Sequence, residues 1–266
     1  MEIKLAGYSE RGRVFSFFVD ILTHKNADAL KLFLGEIKFL DNSSFDETKI
    51  DKVMIYIEPT LSEFGNPDVV ISGIRSNGNK KETFVIFIEA KVDVYIEKEV
   101  ETFNKAYETP LKTVSNFSSN LIVQLYLKYR LVKKMKDGLS FDNRTSKKEI
   151  EVFFDEDNPI SKRLAYYDKQ HNIIPRKTGT TKFVKNFLRG RGTNGINASL
   201  VNYYLIALVP GNAEKAITFL EKIKLEEMKN DKEINLGAIG WSEVNSIVSK
   251  NKENFEIYSE TIKLKS

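Results

Sequence analysis

Residues 84–88 read Phe-Val-Ile-Phe-Ile, five consecutive apolar side chains rich in β-branched and aromatic types. Such a short run suits a strand. Successive side chains of a strand point to opposite faces, so this one is apolar on both. It therefore needs a covering layer above and below, which predicts a central strand of a sheet flanked on two sides. The run continues into Glu89, Ala90 and Lys91, so charge returns only at its end.

The neighbouring sequence extends the pattern. An apolar run at 53–58 is closed by Pro59, and a second, at 68–74, follows the turn residues Gly65, Asn66 and Pro67. Ser76, Asn77, Gly78 and Asn79 separate the second run from the third. The reading is three successive strands joined as hairpins. Before them, residues 8–34 carry apolar side chains at helical spacing with a break at 23–26. Ser9 suits an N-cap there, with Glu10 in the first turn.

After the strands, residues 97–120 read as an acidic, polar connection, and 120–135 as the clearest amphipathic helix. On that helix Leu121, Leu125, Tyr129 and Val132 share a stripe, with Gln124 and Lys128 one turn apart beside it. Strand character returns at 201–209. A helix at 213–228, a short strand at 236–241 and a last helix from Ser242 follow. This order predicts an α/β fold, a mixed sheet covered by helices on both sides. No repeat or linker divides the 266 residues, so they read as one domain, 1–266, with an insertion at about 136–197.

Composition narrows the chemistry. The absence of cysteine removes disulfides, thiolate metal sites and cysteine nucleophiles. Two histidines, His24 and His171, leave little for a histidine-based triad. Proton and metal chemistry falls to carboxylates, lysine and tyrosine. The N-terminal residues lack the layout of a signal peptide, and no run approaches the roughly 18 apolar residues of a membrane span. A cytoplasmic protein with no membrane partner is the expectation. No P-loop pattern appears, so ATP is not implied.

The chemistry-bearing constellation sits where the second strand begins and the third ends. Asp68 opens one; Glu89 and Lys91 close the other on a shared face. In a hairpin these three groups meet at one sheet end. Converging carboxylates repel unless a cation lies between them, and oxygen ligands favour a hard divalent ion. Glu-x-Lys alone carries no signal, because it recurs at Glu2, Glu36, Glu47 and Glu227. Only the copy at Glu89 ends an apolar strand, and of the six prolines only Pro67 precedes an aspartate.

Pro67-Asp68 followed by Glu89-Ala90-Lys91 resembles the signature of the PD-(D/E)xK, or restriction-endonuclease-like, nuclease superfamily. The resemblance covers about residues 8–134 and extends more loosely to 201–209 and Gly240-Trp241-Ser242. It implies a restriction-endonuclease-like core and a Mg²⁺-dependent nuclease in which Mn²⁺ substitutes. Asp68, Glu89 and the Ala90 carbonyl would ligate metal, with Glu10 as a further ligand, and Lys91 would act on the attacking water. Gln124 matches a glutamine common on the following helix; where members place a tyrosine one turn later, this chain has Lys128. Glu58 reads as an ordinary exposed strand-end acid and Trp241 as a core anchor.

Residues 161–192 hold nine basic side chains against one acid, Asp168, with aromatics interleaved. Arg176, Lys177, Lys182, Lys185, Arg189 and Arg191 from this segment, with Lys128, are the candidate contacts to a nucleic-acid backbone, DNA first. The rival expectation is a non-catalytic nucleic-acid- or partner-binding protein on the same scaffold. Oligomeric state stays open, a homodimer included.

Overall fold

The computed structural model describes residues 10–59, 61, 64–78, 80–108, 119–136 and 201–263. Six strands form one sheet: β1 (Lys38–Phe39), β2 (Ile50–Ile57), β3 (Val69–Asn77), β4 (Lys80–Ala90), β5 (Val201–Val209) and β6 (Ile234–Gly240). Their order across it is β1-β6-β5-β4-β3-β2. β4–β5 and β5–β6 are parallel and the other pairs antiparallel, so the sheet is mixed.

β4 is central, as its two apolar faces require. On one side Phe84, Ile86, Ile88 and Ala90 pack with α1 (Glu10–Thr23), α2 (Ala27–Gly35), α7 (Trp241–Lys250) and α8 (Glu256–Lys263). On the other, Val85 and Phe87 pack with α3 (Ile96–Glu108), α4 (Leu121–Lys136) and α5 (Ala213–Leu220). β5 divides in the same way, Tyr204, Ile206 and Leu208 facing one layer and Tyr203, Leu205, Ala207 and Val209 the other. Each such Val, Leu, Ile or Phe side chain, fully buried, contributes about 1.5–3 kcal/mol. Gly73 is where β2 and β4 leave no room: a Cβ there would meet Lys52 O and Phe84 Cζ at 2.5 Å.

The first layer is tied across the chain's length. Phe17 stacks on Phe255 with ring centroids 5.2 Å apart. Asp20 is fully buried on α1, and its carboxylate accepts the main-chain N–H of Tyr258 at 2.8 Å and of Ile257 at 3.3 Å. Those amides open α8, where a helix leaves its donors unpaired, so Asp20 caps a helix more than two hundred residues away.

Four expectations are corrected. The connection at 97–120 contains α3, whose Ile96, Val100 and Phe103 form a narrow apolar stripe at helical spacing between charged residues. The helix expected over 213–228 stops at Leu220 and resumes as the short α6 (Glu226–Lys229). Between them the chain turns to bury Ile223 and Leu225, held by Asn104, which donates to Lys222 O and accepts from Lys224 N. A second C-terminal helix, α8, follows α7, and the two-residue β1 closes the sheet beside β6. No helix among the described residues is long and apolar enough to cross a membrane.

Candidate functional site

The register of β3 on β4 places the predicted trio. Val69 pairs with Ile88, so Asp68 stands across from Glu89 one step beyond the last paired residues. Directly opposed residues of an antiparallel pair point to the same face. The Asp68 carboxylate accepts the Ala90 main-chain N–H at 2.8 Å, a side chain continuing the ladder where β3 has ended. The main chain after Glu89 is fixed twice more: Lys91 N–H donates to Leu208 O at 2.8 Å, and Lys91 O accepts from Trp241 Nε1 at 2.8 Å.

Glu89 shares its face with Val85 and Phe87, looking toward α4. That helix is set by two caps. Asn120 Oδ1 accepts the N–H of Ile122 at 2.9 Å, and Glu99 of α3 accepts that of Leu121 at 2.5 Å. So held, α4 carries Lys128 onto the sheet end, where its ammonium contacts Glu89 Oε1. Lys128 is 0% and Glu89 1% exposed. The pair is a buried ion pair, and both the charge and the hydrogen bond of Lys128 act on the Glu89 carboxyl. Gln124 lies one turn earlier, half-buried, its Oε1 without a hydrogen bond. Gly65 closes over the ammonium: its φ is +71°, and a Cβ there would stand 3.1 Å from Lys128 Nζ.

Burial pushes the Glu89 carboxyl up from 4.5 to about 7. The Lys128 charge opposes the rise most strongly, the Asp68 charge adds to it, and Lys91 opposes it more weakly. Asp68, Lys91 and Lys128 thus all lie within electrostatic reach of one buried acid.

Among the sequence-predicted residues, the structure gathers Asp68, Glu89, Ala90, Lys91 and Lys128 at this end of the sheet, with Gln124 one turn before Lys128 on α4. Lys128 stands inside, against Glu89, and not on an outward basic surface. Glu10 opens α1, and its side chain lies outside the described residues. Arg176, Lys177, Lys182, Lys185, Arg189 and Arg191 lie outside them too, as does the insertion beyond Lys136. Glu58 is exposed, and its N–H donates to Asp68 O at 3.0 Å.

Sequence reasoning missed what supports the strand end. Arg13 lies 4.1 Å over the Trp241 ring and donates to Tyr258 Oη and Asn245 Oδ1, holding the indole that grips Lys91 O. No local signal links Arg13 or Trp241 to Lys91. Lys128 did carry one, its four-residue offset from Gln124, but not what it faces.

The donors are all oxygen: two carboxylates facing one side and the carbonyl of Ala90, the residue after Glu89. That chemistry suits a hard cation such as Mg²⁺. Glu89, buried beside a like charge, is an acid that gains from one. Among the described residues no three His, Cys, Asp or Glu side chains converge.

No family model, curated protein or solved structure matches this chain.

Proposed function

We propose that this chain is a divalent-metal-dependent nuclease of restriction-endonuclease-like architecture, hydrolysing phosphodiester bonds of nucleic acid, DNA first. The observation that carries the reading is Asp68 standing across the β3–β4 ladder from buried Glu89, with Lys91 next on the same face. Asp68, Glu89 and the Ala90 carbonyl would hold Mg²⁺ or Mn²⁺. Bound there, such an ion lowers the pKa of a water and offsets charge on a scissile phosphate. Lys91 places the water that attacks phosphorus; a phosphorus–oxygen bond forms, another breaks, and the leaving oxygen takes a proton. Gln124, one turn before Lys128 on α4, has an acceptor oxygen without a hydrogen bond. The basic segment 161–192 supplies charge for gripping the backbone.

The test is cleavage of plasmid, single-stranded DNA and RNA substrates with Mg²⁺ or Mn²⁺. Lys91→Ala and Asp68→Asn are each expected to lower the rate by roughly 10²–10⁴-fold. Wild-type protein inert on every substrate would overturn the reading.

A second reading has its own observation. Glu89 is already neutralised by Lys128. A scaffold whose acid is permanently paired would bind nucleic acid or a protein without cutting. Salt-sensitive DNA binding by an inert wild type would favour it.

A further inference from the structure

Glu89 and Lys128 form a buried pair whose members are poorly served by anything else. An ammonium has three donors, and the acceptor set against that of Lys128 is Glu89 Oε1. It is fully buried, and the Gly65 backbone leaves it little space on that side. A lysine so placed carries a large desolvation cost that only its attraction to Glu89 offsets. It also stands on the carboxylate a divalent ion would need. We propose that Lys128 is an internal counter-ion, its ammonium occupying the cation position on Glu89 until a divalent ion displaces it, so that this lysine sets the metal affinity of the site. The inference rests on reading Asp68 and Glu89 as metal ligands.

Displacement is a competition. Asp68 and Glu89 together present two formal negative charges, and Lys128 cancels one of them. Removing the amine leaves Glu89 without its buried counter-charge, which weakens the metal-free fold and strengthens attraction for a divalent cation. Lys91 is the internal control. It is only half-buried and acts more weakly on Glu89 than Lys128 does, so its removal should change metal affinity less.

The experiment uses the full chain without nucleic acid. Mn²⁺ is titrated by calorimetry and by thermal unfolding into wild type, Lys128→Met, Lys91→Met and Asp68→Asn. Lys128→Met is expected to bind Mn²⁺ about tenfold more tightly than wild type, equivalent to about 1.4 kcal/mol. Its melting temperature should be lower than wild type without metal and rise further on adding it. Lys91→Met should change affinity less, and Asp68→Asn should abolish binding. If Lys128→Met folds only with Mn²⁺, the inference holds, because the ion then replaces the missing charge. Should Lys128→Met bind no more tightly than wild type while Asp68→Asn loses binding, the counter-ion role is overturned and the metal site stands. If neither wild type nor Lys128→Met binds Mn²⁺, both fall. Lys128→Gln is the second variant; failure of both Lys128 variants to fold with saturating Mn²⁺ would also overturn the counter-ion role.

Discussion

The Asp68 carboxylate accepts the Ala90 main-chain N–H at 2.8 Å, so one side chain both closes the β3–β4 ladder and presents a charge beside Glu89. Asn at this position keeps an oxygen acceptor and drops the charge. Asp68→Asn should therefore retain stability, whereas Asp68→Ala strands a buried N–H and costs about 1–3 kcal/mol. Denaturant unfolding of the two variants beside wild type measures this. Equal stability of both would mean that the Ala90 bond contributes nothing.

Glu89 gives the fold a pH dependence. Its carboxyl is raised from 4.5 to about 7, chiefly by burial. Between those values the folded chain holds a proton that the unfolded chain has released. The stabilisation from this group is full below about pH 4.5 and is lost as pH rises through about 7. Melting temperatures measured in chelator should fall across that window, and Glu89→Gln should remove this component. Asp20, also raised by burial, acts in the same sense but is common to both proteins, so the difference isolates Glu89.

The Glu89–Lys128 pair should show strong coupling. Above about pH 7, where Glu89 is charged, removing either partner leaves the other buried and alone, at a cost of about 3–5 kcal/mol. The double variant Glu89→Gln/Lys128→Met, with no charge left in place, should be more stable in chelator than Lys128→Met. A double-mutant cycle by denaturant unfolding reads the coupling directly. Additive losses would contradict the contact.

Asp20 anchors the C-terminal helix. Asp20→Ala removes the acceptor of two amides at the start of α8 and should cost about 1–3 kcal/mol. Hydrogen exchange should accelerate at Ile257 and Tyr258 before the β4 and β5 amides respond. Unchanged protection at those two residues would refute the capping role.

Much of the fold was written locally. The two-faced apolar run at 84–88 dictated a central, doubly covered strand, and the turn residues around Pro67 and Gly78 dictated hairpins. Because strand side chains alternate and hairpins fix register, the meeting of Asp68, Glu89 and Lys91 followed from sequence too. The polar look of 97–120 hid α3, since three apolar residues at helical spacing suffice once α4 and α5 are there to receive them. Tertiary structure alone decided which amine meets Glu89. Helical periodicity puts Lys128 beside Gln124, but only the seating of α4, through Asn120 and Glu99, turns that stripe onto the sheet end. It likewise decided that Trp241 holds the carbonyl of Lys91, 150 positions away in the chain. Period and turn chemistry act between near neighbours, whereas a buried charge finds its partner only when packing brings distant segments together and excludes water from between them.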